Sequence, residues 1–154
     1  IVIYSLSLLK LMGTSFAAQL LSTEVEPEEK LWRGVLCNAI EDAGQVSQER
    51  KPSIYKCDAH SWIMSNVTDF YTVCYYAGFE PEHVKERYKM AIMRGDIQFS
   101  PRNFAWKKYS NQFNKYRNCK EPESKKYHRK HLDHLRKAVD TCTTLFISNL
   151  VSSV

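Results

Sequence analysis

A chain of 154 residues is long enough for one domain with a proper core, and 44% hydrophobic with 25% charged residues is ordinary for a globular protein. With 5 Gly, 5 Pro and few alternating β-branched runs, the composition argues against a turn-rich sandwich or barrel and for helices. The net charge of +5 is uneven: residues 102–137 carry 12 Lys and Arg against 3 Asp and Glu, while residues 1–101 carry 10 against 13. A basic segment of this kind suits a polyanionic partner, nucleic acid or an anionic membrane surface, and the plain alternative is a solvated helix face.

Residues 1–9, IVIYSLSLL, are almost wholly apolar. No positive region precedes them, as a secretory signal requires, and Lys10, Gly13 and Thr14 interrupt the run before it can span a bilayer. Met12 offers a natural start. Residues 1–11 therefore read as upstream sequence or a truncated leader, and residues 1–25 as a flexible apolar arm.

A strong helix is expected from Glu26-Pro27 to Ala43. Pro27 suits the first helical position, Glu28 and Glu29 complement the positive end of the dipole, and Gly44 ends the run. Leu31, Trp32, Val35, Leu36, Ala39, Ile40 and Ala43 recur at helical spacing and form one apolar face. Residues 45–52 read as a polar loop, followed by a helix from Ser53 to Met64 that buries Ile54, Ala59, Trp62 and Ile63. Thr68 then reads as an N-cap, which makes the Asn66-Val67-Thr68 sequon incidental.

Phe70 to Tyr88, FYTVCYYAGFEPEHVKERY, reads as two short helices joined by a sharp corner. Gly78 takes the left-handed position that closes the first, and Pro81 opens the second. Val73, Ala77, Phe79 and Val84 are placed to pack the two together, with Cys74 small enough to permit close approach. This is the sequence form of a helix-turn-helix. Its groove-facing positions include Glu80, Glu82 and Glu86, which repel a phosphate backbone, so a corner used only for packing is the competing reading.

Arg94-Gly95-Asp96 reads as a turn and Ile97 to Phe99 as a brief extended piece. Ser100-Pro101 opens a helix holding Phe104, Trp106, Tyr109, Phe113 and Tyr116. Aromatics interleaved with bases in Arg102 to Arg117 suit stacking on single-stranded bases. Their helical spacing, however, favours a core-facing stripe whose cations point outward. After a break at Glu121 to Ser124, a last helix carries His128, His131, Leu132, Leu135, Val139, Cys142 and Phe146.

Five cysteines at 37, 57, 74, 119 and 142 are too dispersed for a disulfide scaffold, and a reducing cytoplasm is the simpler setting. Cys57 and His60, with His128, His131 and His134, lack the two close ligand pairs of a zinc site, so no metal or other cofactor is expected. No nucleophile elbow, phosphate loop or HExxH is present, and no catalytic residue is assigned.

The order of three blocks is distinctive: Trp32-x-x-Val35-Leu36-x-x-Ala39-Ile40-x-Asp42, then Ala59-x-x-Trp62, then Phe70-x-x-Val73-Cys74-x-x-Ala77-Gly78-Phe79-x-Pro81-x-x-Val84. Over about residues 29–90 this resembles a group of small phage and prophage proteins of unassigned function. The resemblance implies a small cytosolic helical protein with a helix-turn-helix-like core, and it brings no active site.

The expected fold is all-α: about five helices, with residues 26–118 as core domain and 119–154 as a basic helical extension. Trp32, Trp62, Phe70, Phe79 and Trp106 are the expected core aromatics. The leading functional expectation is a non-enzymatic nucleic-acid-binding or regulatory protein. Arg102, Lys107, Lys108, Lys115, Arg117, Lys125, Lys126, Arg129 and Lys130 contact phosphates in it, with Lys85 and Arg87 contributing from the corner. The competing expectation is a protein-interaction module that docks another helical protein, or a second copy, through the corner and the last helix.

Overall fold

In the computed structural model, residue 8 and residues 10–142 are described, and they are helical with no strand element among them. From Thr14 onward they form α1 (Thr14–Leu20), α2 (Pro27–Ala43), α3 (Arg50–Met64), α4 (Thr68–Ala77), α5 (Pro81–Met93), α6 (Pro101–Asn118) and α7 (Pro122–Thr141). These seven exceed the expected five or so. Four of them, α2, α5, α6 and α7, open on a proline, whose fixed φ suits the first turn and whose missing N–H would have no helical partner there. Phe146 and most of residues 1–9 lie outside the described residues.

The largest departure from the sequence reading is at the beginning of the chain. Leu8, Leu11, Met12, Phe16, Ala17 and Leu20 are buried in the same core cluster as Ile40, Phe70 and Tyr88. These apolar residues thus belong to the core, which the sequence reading begins only at residue 26. The cause is their three-to-four-residue apolar spacing, which Gly13 interrupts without destroying. From there α2 packs on α1, α3 and α4, α3 also packs on α6, and α6 packs on α7. Phe70 and Phe79 are core residues, whereas Trp32 and Trp62 sit half-buried at its edge and Trp106 is buried outside the main cluster. Leu31 is 64% exposed and leaves the apolar face assigned to it.

At the corner, Gly78 has φ 81° and closes α4. Phe79 N donates to Cys74 O (2.9 Å) and Gly78 N to Tyr75 O (3.1 Å), the paired bonds that satisfy the last carbonyls of a helix. Arg33 fixes the corner to its surroundings: it donates to Ala77 O (2.9 Å), to Gln19 O (2.5 Å) and to Glu29 (3.0 Å), and it lies over the Phe79 ring. A Cβ at Gly78 would meet the Glu29 carboxylate and force a side chain into a left-handed conformation. Gly78→Ala is therefore expected to cost about 2 kcal/mol of stability, read from the chemical-denaturation midpoint. A change below about 0.5 kcal/mol would contradict this geometry.

Three helix starts differ from expectation. α7 begins at Pro122, inside the expected break at Glu121 to Ser124, because proline suits a first helical position. α3 begins at Arg50, with Pro52 inside its first turn, so the polar loop is shorter than 45–52. Thr68 is the first helical residue of α4 and does not cap it, because Val67 holds the cap position in extended backbone.

Candidate nucleic-acid interface

The basic segment is carried by α6 and α7, and α6 is anchored at its start. Ser100 Oγ accepts from Asn103 N (3.3 Å) while Asn103 Oδ1 accepts from Ser100 N (2.9 Å), a reciprocal capping box. The Asn103 amide also donates to Ser53 Oγ (2.8 Å) and Ser47 O (3.3 Å), which ties the helix to α3 and the loop before it. α7 lies on α6 with Leu132 and Val139 buried, and Gln112 Nε2 donates to His128 O (3.3 Å).

Of the eleven cations expected to meet phosphate, six stand exposed with no ion pair or hydrogen bond among the described residues: Lys108, Lys115, Arg117, Lys126, Arg129 and Lys130. Lys108 and Lys115, two turns apart, share one face of α6. Lys126 and Lys130, one turn apart, share one face of α7. Lys125 is exposed with its ammonium 5.1 Å from the Tyr116 ring. Lys120, in the connection between the two helices, and Lys137 of α7 are also exposed.

The remaining four of the eleven are buried or half-buried. Lys85 is 5% exposed and donates to Asn66 Oδ1 (2.8 Å) and Tyr71 OH (3.0 Å), so it holds α5 to α4 and the loop before α4. Arg87 is half-buried with its guanidinium against Gly13. Lys107 pairs with Asp58 at 2.5 Å, and Arg102 is half-buried with Nε enclosed. Glu80, Glu82 and Glu86 are all exposed at the corner. The corner thus presents carboxylates outward and keeps its nearest lysine inside.

Aromatics on α6 face inward or sideways. Trp106 is 6% exposed, while Tyr109, Phe113 and Tyr116 are half-buried and succeed one another at ring separations of 5.7, 6.5 and 6.5 Å. Arg50 of α3 and Arg136 of α7, neither assigned from the sequence, lie over these rings. Their only sequence signal was charge.

The interior holds polar groups that the sequence reading left outside the core. Lys56 is buried and donates to Ala43 O (2.7 Å) and Gln45 O (2.5 Å), capping the carbonyl end of α2. Burial pushes its amine down from 10.5 to about 8. His60 Nδ1 and Tyr88 OH are 2.6 Å apart. Burial, assisted by the Lys56 charge, pushes the imidazole down to about 4, and burial pushes the Tyr88 phenol up.

Cys57 and Cys74 thiols are pushed up by burial to about 11 and about 12, away from nucleophile range. Cys57 donates to Asn103 O and His60 meets Tyr88, so each of that spaced pair has its own partner. Among the described residues no group of three His, Cys, Asp or Glu is placed to hold a metal ion. None of their helices is long and apolar enough to cross a membrane. A groove of about 430 Å³ between α2 and α3 is lined by Asp42, Asp58, Asp69, Tyr55 and Trp62.

The chain matches no protein-family model, no curated protein and no solved structure.

Proposed function

We propose that this protein is a non-enzymatic nucleic-acid-binding accessory protein that grips phosphates through the outer faces of α6 and α7. One observation carries the reading: six exposed cations on these two helices have no carboxylate partner among the described residues, although Asp58 and Asp140 pair with their neighbours Lys107 and Arg136. Such contacts give affinity and register with little sequence readout. The helix-turn-helix-like corner organises the core, because Lys85 is buried and three glutamates face outward. A phage-type setting belongs to the same proposal and rests on the block order over residues 29–90.

A second reading, docking of another protein, is favoured by a separate surface. Leu31, Tyr75 and Tyr76 are 64%, 64% and 58% exposed on α2 and α4, with Trp32 stacked on Tyr76 at 5.4 Å. The stripe of α7 is less suited to this than expected, since Leu132 and Val139 are already buried.

Binding of labelled duplex DNA, single-stranded DNA and RNA by fluorescence anisotropy tests the first reading. Replacing Lys108, Lys115, Arg117, Lys126, Arg129 and Lys130 with Gln is expected to weaken binding at least a hundredfold at low salt. Replacing Lys107 alone should change it by less than about threefold, because Asp58 already neutralises that ammonium. Equal binding by the sixfold variant would overturn the assignment.

A further inference from the structure

We infer that Arg50 and Arg136, both laid on the Trp106 ring, form a clamp for the phosphate backbone of a nucleic-acid strand; this rests on the nucleic-acid reading and extends the interface onto α3. The two guanidinium carbons lie 6.0 and 4.7 Å from the same ring centroid, and Arg50 also lies 5.1 Å from the Tyr109 ring and 5.7 Å from the Phe113 ring. Two like charges from different helices, α3 and α7, thus converge on one indole, and phosphates of a strand passing over it accept from both guanidinium groups.

Stacking uses the face of a guanidinium and leaves its in-plane N–H donors free, so a ring beneath it orients the fork without consuming it. Arg50 makes no hydrogen bond or ion pair among the described residues, and the Arg136 contact to Asp140 is long at 3.9 Å. Arg50 is exposed and the Arg136 side chain is half exposed, so an incoming strand reaches both. Two further observations agree. Trp106 is 6% exposed and its Nε1 is a buried donor with no partner among the described residues. α3 begins at Arg50 without a side-chain cap, leaving the positive end of its dipole beside the clamp.

The discriminating change keeps charge and removes the fork. R50K/R136K has the wild-type net charge, but lysine neither stacks as a plane nor donates in two parallel bonds. Wild type and variant are titrated with a single-stranded oligonucleotide and with vesicles containing anionic phosphatidylglycerol, circular dichroism verifying the fold. The clamp predicts about tenfold weaker oligonucleotide binding by R50K/R136K, and a change in Trp fluorescence on binding that W106F lacks. Wild-type binding with R50K/R136K within twofold of it would overturn the clamp and leave the nucleic-acid reading standing. No oligonucleotide binding by wild type at low salt would overturn both, as would binding to vesicles alone, which would assign the phosphate to lipid. Should the double variant not fold, R50K alone, at an exposed first-turn position, carries the same comparison.

Discussion

Phe16→Ala is expected to lower unfolding stability by about 3–4 kcal/mol, although residue 16 lies in a stretch whose sequence reads as an arm. Phe16 is 2% exposed, with its ring centroid 5.0 Å from that of Phe79 and 5.9 Å from that of His83. Truncation would remove a large buried ring and open a cavity beside the corner. The transfer and cavity contributions add, because α1 is also held from outside by Arg33 on Gln19 O and cannot easily collapse inward. For a chain of this size the loss corresponds to a fall of roughly 6–16 °C in melting temperature. Differential scanning calorimetry measures it directly. A loss under about 1 kcal/mol would mean that residues 8–20 do not dock on the core in solution.

The second large effect is on acid stability, through His60. Its imidazole is 6% exposed, and burial with the Lys56 charge pushes its folded pKa down to about 4 from 6.5. A depressed folded pKa means that the unfolded chain takes up a proton between pH 6.5 and 4 that the folded protein refuses, so stability falls as pH falls through that window. The difference corresponds to about 3 kcal/mol for this one group, fully present above pH 6.5 and lost by pH 4. His60→Gln removes the titration while keeping a polar group opposite Tyr88 OH. The variant is expected to lose less stability than wild type between pH 7 and 4, read from urea midpoints at each pH. Parallel pH curves for the two proteins would contradict the assignment. Lys56 adds a window of its own at higher pH. Its folded pKa of about 8 lies below 10.5, so its contribution to stability rises with pH between those values.

Much of the backbone plan was legible because it depends on residues with one strong local preference. Gly78 at φ 81°, prolines at the first positions of α2, α5 and α6, and Ser100 as the N-cap of α6 all follow from local stereochemistry. What was hidden depends on tertiary placement. Ser53, Lys56, His60 and Ile63 fall on one helical face and all are buried, yet of these four only Ile63 was in the expected buried set, because the other three are polar. The carbonyl end of α2, the Asn103 amide and the Tyr88 hydroxyl, all distant in sequence, make that burial affordable. Likewise Lys85 sits between Val84 and Tyr88 on the buried side of α5, where its charge concealed its position.

The candidate interface divides in the same way. The charge of residues 102–137 identified α6 and α7 from sequence, but which cations are free depends on neighbours that sequence does not place. Asp58 takes Lys107 from across α3, and Asn66 with Tyr71 takes Lys85. Arg50 lies in a segment whose composition reads as a loop, and only the start of α3 there carries its side chain over Trp106.

The most direct measurement of the central claim is the salt dependence of nucleic-acid binding by the unmodified protein. If six cations on α6 and α7 each displace a counterion from a phosphate, the slope of log K against log salt should be about −4 to −5. A slope near zero, or no binding to duplex DNA, single-stranded DNA or RNA at about 50 mM salt, would contradict the account.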